Sequence, residues 1–232
     1  MDRYDPPIEP ALVLVHLDRD LVVLDKPAGL LSVPGRDPAW RDSALTRAIA
    51  VYGPLQAAHR LDMDTSGLLV LTRRRKAEAA LKAQFAARTV RKTYLARVVG
   101  QPPEEGSVDL PLRRVGGLPP RNEVDLDEGL PALTRFRVLH RDAQGALLAL
   151  SPETGRSHQL RVHLAAIGHP ILGDRLYGGL PGPRLLLHAW RIELDHPWSG
   201  QRLHLEAVAP EALTPPAAPP PPRRSGAPPR PS

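Results

Sequence analysis

The densest polar segment of the chain is His59-Arg60-Leu61-Asp62-Met63-Asp64-Thr65-Ser66-Gly67, which runs straight into an apolar stretch over residues 67–71. A loop that enters a buried strand can present side chains to a pocket while the sheet holds them rigid. Of its two carboxylates, either has the chemistry of a nucleophile or a general base. The plainer reading is a turn in which Asp64, Thr65 and Ser66 satisfy nearby backbone donors. A second polar cluster is Gly155-Arg156-Ser157-His158-Gln159-Leu160-Arg161-Val162-His163. A helix beginning near Ser157 places His158 and Arg161 three apart on one face, with Leu160 and Leu164 turned to the core. Its plainer reading is a partly exposed face beside a core stripe.

Other chemistries find little support. His158 and His163 are five apart, off the i, i+4 spacing of a zinc helix, with no Glu between them and no cysteine in the chain. A metal site is therefore not expected. Walker A loops, glycine-rich dinucleotide fingerprints and G-x-S-x-G elbows are absent as well. What remains is carboxylate chemistry beside arginine.

The elements that must position these groups alternate between strand and helix. Residues 12–16 and 21–25 read as strands around a turn at 17–20. Ser43 caps a short helix in which Leu45, Ile49 and Tyr52 share a face, ended by Gly53. Residues 67–71 read as a buried strand, and Thr72 as the cap of a helix to about residue 87. Strands follow at 94–99, 108–112, 132–139 and 146–150. A helix over 157–167 stops at Gly168 and Pro170, and strands at 185–188, 192–194 and 203–207 close the chain. Residues 113–128, rich in Gly, Pro and charge, read as a long surface loop. Many strands with few helices predict an α+β fold: one domain, residues 1–210, with a large mixed, mostly antiparallel sheet flanked by helices and loops around a central cleft.

Composition sets the frame. The 232 residues are 42% hydrophobic, enough for a core without disulfides, and the absence of cysteine suits a reducing cytoplasm. No apolar run is long enough to span a bilayer. Net charge is +6, which favours polyanions, although 27 of the 31 cations are Arg, a skew that GC-rich coding alone would produce. Residues 211–232 are dominated by Pro, Ala and Arg and read as a disordered tail.

Taken together, HRLDMDTSGLLVLT and GRSHQLRVHLAAIGHPILGDRLYG resemble the two long motifs of the RluA-type pseudouridine synthases. Lys26-Pro27-Ala28-Gly29 is similar to the family's KPxG element and Lys92-Thr93-Tyr94 to its K-x-Y motif, in the same order and spacing. Tyr4-Asp5-Pro6-Pro7 and the segment 29–36 look like the dual-specificity branch, which acts on 23S rRNA and a tRNA anticodon stem-loop. With 25 residues before Lys26, an N-terminal S4 domain is not expected.

The resemblance implies a cofactor-independent isomerase of uridine in RNA; composition points to the cytoplasm, and a monomer is the default expectation. Asp62 corresponds to the family's catalytic carboxylate, Arg161 to the arginine that pairs with it, and Tyr94 to the tyrosine that packs on the target uracil. Arg60 corresponds to the arginine that fills the gap left by the flipped base, and Asp64 is a turn residue. Of Arg73, Arg74, Arg75, Lys76, Arg88, Arg91 and Lys92, some are expected to grip phosphates nearby and others merely to solvate a helix face. A non-catalytic RNA-binding module that kept the fold, and a carboxylate glycosidase, are the competing readings. The first would need a damaged site, and the second a suitably paired acid.

Overall fold

Leu21, Val22, Val23 and Leu24 are all fully buried, as are Leu69, Val70 and Leu71, so two strands near the start of the chain are covered on both faces. The computed structural model describes residues 4–9, 12–117 and 121–214. The chain runs β1 (Val13–Leu17), β2 (Leu21–Lys26), α1 (Ala44–Tyr52), β3 (Gln56–Ala57), β4 (Ser66–Thr72), α2 (Arg75–Ala86) and β5 (Arg91–Val98). It continues through β6 (Glu105–Asp109), β7 (Leu112–Val115), β8 (Arg121–Val124), β9 (Leu133–Asp142) and β10 (Gly145–Pro152). Last come α3 (Gln159–Ala166), β11 (Leu187–Asp195) and β12 (Arg202–Glu206).

Ten strands form one sheet in the order β1-β2-β4-β11-β5-β10-β9-β6, with β3 added to β4 and β12 to β11. Alternation decides what covers it. Val22, Leu24, Leu69 and Leu71 face Ala44 and Ala48 of α1, while Leu21, Val23, Leu68 and Val70 face Leu81 of α2. In the other half, α3 packs Leu160 and Leu164 onto β5, β9 and β10. The sheet is antiparallel except where β4 and β11 run side by side through His188–Ser66 and Ala189–Gly67. The chains approach so closely there that a Cβ on Gly67, at φ +110°, would lie 2.3 Å from the Ala189 carbonyl oxygen. Only glycine fits.

Ser43 caps α1 as expected, in a capping box with Thr46, and Gly53 ends it. Thr72 does not cap α2. It closes β4, its Oγ1 donating to the Gln56 carbonyl at 3.3 Å, and the Arg73 amide bonds the Asp20 carbonyl, which carries the extended chain on to Arg74. The loop expected over 113–128 holds the hairpin β7–β8, because Leu112 and Val124 find apolar partners in Ala132 and Val162. Pro111 separates β7 from β6, so the strand expected over 108–112 is divided. The strands expected at 185–188 and 192–194 are one, β11, with a register shift between Ala189 and Arg191. The tail expected from residue 211 begins with a 3-10 turn, Glu211–Leu213, whose Leu213 is buried in the core; residues 215–232 lie outside the described residues.

Candidate active site

The loop that carries Asp62 is clamped by the segment after β2. Lys26, fully buried, donates from Nζ to the carbonyls of Pro27, Leu30 and Met63 at 2.8, 2.7 and 2.9 Å. The Gly29 amide also donates to the Met63 carbonyl, at 2.9 Å. Ser32 Oγ donates to the Leu61 carbonyl and accepts the Leu61 amide. Both neighbours of Asp62 are thus fixed. Burial pushes the Lys26 ammonium down to about 7, against the pull of Asp64 and Asp62. The three carbonyls nevertheless match the three hydrogens of the charged form. On the other side of the loop, His59 Nε2 accepts the Val70 amide at 3.0 Å, and burial holds that imidazole neutral, at about 4.

Asp62 itself keeps 25% of its side chain exposed. Arg161 Nη1 stands 3.7 Å from its Oδ2, and His158 Nε2 stands 3.9 Å from its Oδ1. The groups from the two polar clusters meet, across about a hundred residues of chain. Arg161 is only 3% exposed, and its closest partner is a residue that the sequence reading passed over. Arg161 Nε donates to Asp174 Oδ2 at 2.8 Å and Nη2 to Oδ1 at 2.7 Å, a two-pronged pair. Burial opposes both charges. The pairing overcomes it, holding Asp174 below the usual carboxylate range and Arg161 above its ordinary value. Asp174 also accepts the amides of Leu176 and Tyr177, and the Tyr177 ring lies 5.2 Å from the guanidinium.

Tyr94 belongs to β5, between Leu150 of β10 and Ala189 of β11. Burial, with the charge of Asp62 adding to it, raises its phenol above the ordinary value, so the ring is neutral at physiological pH. Arg60 is exposed on the rim. Arg60, Asp62, Lys92, Tyr94, His158 and Arg161 line one cavity of about 880 Å³, roomy enough for a nucleotide. His163 is not among them: its ring bonds Thr134 and the Leu110 carbonyl inside the core.

The basic residues divide. Arg88 and Lys92 reach the cavity, while Arg73, Arg74, Arg75 and Lys76 are exposed at the start of α2. Arg73 also donates to the Asp18 carbonyl, and Arg74 stands 3.7 Å from Asp20. Among the described residues, no group of three or more His, Asp or Glu is placed to hold a metal ion.

Composition carries a signal for Asp174, although no spacing does. Asp174 is the only acidic residue between positions 155 and 184, a stretch with four arginines, and a buried arginine needs a partner.

The family model for RNA pseudouridylate synthase matches residues 20–166. The chain is 46% identical over 215 residues to the Dual-specificity RNA pseudouridine synthase RluA of Escherichia coli (strain K12), covering 90% of this chain and 98% of that one. It is 42% identical over 211 residues to the protein of the same name from Haemophilus influenzae, covering 88% and 96%. Among solved structures it resembles Human RNA Pseudouridylate Synthase Domain Containing 1, with a TM-score of 0.75 at 26% identity over 90% of this chain and 89% of that one.

Proposed function

The chain belongs to the RNA pseudouridylate synthase family, and we propose that it isomerises uridine in unpaired loops of 23S rRNA and of a tRNA anticodon stem-loop, with Asp62 as the nucleophile. The observation that carries this reading is the carboxylate of Asp62 in a nucleotide-sized cavity, 3.7 Å from a guanidinium that a second carboxylate holds in place. The protein works in the cytoplasm as a monomer.

The reaction breaks the N1–C1′ bond of uridine, turns the uracil and joins C5 to C1′, with the C5 proton leaving to solvent and N1 taking one proton up. No atom or electron is gained overall, so the conversion itself calls for no cofactor. Attack at C1′, attack at C6 and passage through a glycal all satisfy this balance, and all three place one carboxylate beside the glycosidic bond. Arg161 directs that carboxylate and balances its charge. Tyr94 offers a face for the uracil to stack on. As a neutral phenol, not a phenolate base, it relays the C5 proton, its oxygen accepting that proton while its own hydrogen passes to solvent. Arg60, on the rim, takes the place of the extruded base, a planar guanidinium between neighbouring bases. Unpaired loops are the natural substrate because the target base has little stacking to lose.

Mapping pseudouridine by chemical labelling in cells with and without the gene tests the assignment. Signals at loop uridines of 23S rRNA or tRNA vanish without the gene on this reading; an unchanged map contradicts it.

A further inference from the structure

His158 stands where non-glycine residues seldom do, at φ 55° and ψ 13°, immediately before α3. Its ring is held by a chain of hydrogen bonds that begins on the hairpin. The Asn122 amide of β8 donates to Tyr177 Oη at 3.0 Å, so the phenol's own hydrogen is left for His158 Nδ1, 2.8 Å away. The Asn122 side chain meanwhile donates to the Ser157 carbonyl, fixing the backbone just before the histidine. With Nδ1 accepting, the ring hydrogen sits on Nε2. Burial, opposed by Asp62 and reinforced by Arg161, keeps the imidazole pKa below its ordinary value, and Nε2–H is then a neutral donor.

That donor faces Asp62 Oδ1 across 3.9 Å. The gap is too long for a hydrogen bond, and both groups line the cavity. A donor and an acceptor so placed select what fits between them. A carbonyl would satisfy His158 and repel the carboxylate, whereas an N–H would satisfy Asp62 alone. A hydroxyl does both, accepting from one and donating to the other. Hydrogen bonds of about 2.8 Å on each side close a triangle on that base. Within an RNA chain the 3′ and 5′ oxygens are esterified, and the free hydroxyl of a uridine is the 2′-OH.

We propose that His158 and Asp62 together hold the 2′-hydroxyl of the target uridine, making His158 a specificity-determining residue that distinguishes ribose from deoxyribose. This rests on the reading of Asp62 as the carboxylate that meets that nucleotide. The test uses the intact protein and a stem-loop RNA containing a uridine that it isomerises, made with either uridine or a single 2′-deoxyuridine at that position. Removing the hydroxyl lowers kcat/KM of the wild type about 30-fold, the scale of a hydrogen bond to a charged group. In His158→Phe the same removal costs several-fold less than in the wild type, since the neutral one of the two partners is already gone while Asp62 remains. His158→Asn, which tolerates the left-handed backbone, gives the same reduced penalty and stands in if the Phe variant loses cooperative unfolding. A penalty as large in the variants as in the wild type, or a wild type indifferent to the 2′-OH, overturns the proposal. Asp62→Asn separates the two readings. Turnover in that variant removes the nucleophile assignment, whereas an inert Asp62→Asn with an undiminished penalty in the His158 variants removes only the 2′-hydroxyl contact.

Discussion

Arg161 gives two of its nitrogens to Asp174, at 2.8 and 2.7 Å, and leaves the third for Asp62 at 3.7 Å. One carboxylate anchors the guanidinium and the other works against it. The closer pair is the buried one, which leaves Asp62 supported yet open to a substrate.

Asp174→Asn keeps the shape of that anchor and removes its charge. Breaking a buried pair from one side leaves the other charge uncompensated, at a cost of about 3–5 kcal/mol. Urea unfolding should show a loss of this size. Arg161, released, is expected to close on Asp62, so kcat falls well beyond any rise in KM. A variant with wild-type stability and kcat would mean that Asp174 is a bystander.

Lys26 touches the site through the backbone of Met63, the residue after Asp62, and acts on the Asp62 carboxylate by charge alone. Lys26→Met strips the buried carbonyls of Pro27 and Leu30 of a donor, each worth about 1–3 kcal/mol where water cannot replace it, and leaves the Met63 carbonyl with the Gly29 amide alone. Displacement of the Asp62 loop by even 1 Å is enough to lower kcat about 100-fold. Steady-state kinetics on a variant that still unfolds cooperatively would test this; a kcat within twofold of wild type would contradict it.

Acid should weaken the fold through its buried histidines. Burial, with Arg184 adding to it, holds His188 at about 4, against an ordinary value of about 6.5 in the unfolded chain. Between these two values the unfolded chain takes up a proton and the folded chain does not. The contribution is therefore complete above pH 6.5 and is lost as pH falls towards 4. For a side chain only 1% exposed this amounts to at most about 3 kcal/mol. Asp25, raised to about 6 by burial, works in the opposite sense, so wild type is best compared with His188→Gln, in which the loss between pH 6.5 and 4 should shrink. Equal slopes in the two proteins would exclude His188.

Much of this arrangement is legible in the sequence. Period-two burial and caps are local chemistry, and α1 begins at Ser43 and ends at Gly53 as its residues dictate. The strand after Asp62 declared itself by its unbroken apolar run. Long-range compensation was harder to read. Thr72 has the composition of a cap, yet tertiary bonds on β4 and Arg73 keep the chain extended past it. The hairpin β7–β8 is polar in sequence because few of its side chains meet the core. Asp174 lies thirteen residues beyond Arg161, and no local spacing rule links them. His158 and Arg161 were expected on one helical face. Both do reach Asp62, but His158 does so from a left-handed residue just outside the helix.

Tyr94→Phe isolates the phenol from the ring. The stacking face remains, so RNA affinity should stay within about threefold, while kcat drops on the scale of a lost general acid–base group, about 10²-fold or more. Arg60→Ala should behave in the reverse sense, weakening binding to the extruded conformation more than the chemical step. Filter binding and single-turnover rates on the same RNA separate the two effects. A Tyr94→Phe variant that isomerises at the wild-type rate would reduce the tyrosine to a stacking surface.

The most direct measurement follows tritium from the C5 position of uridine in RNA, in wild type and in Asp62→Asn. Wild-type protein is predicted to release the label as C5 joins C1′, and the variant, still folded and still binding RNA, to release none above background. Release by Asp62→Asn at a rate near that of the wild type would contradict the account at its centre.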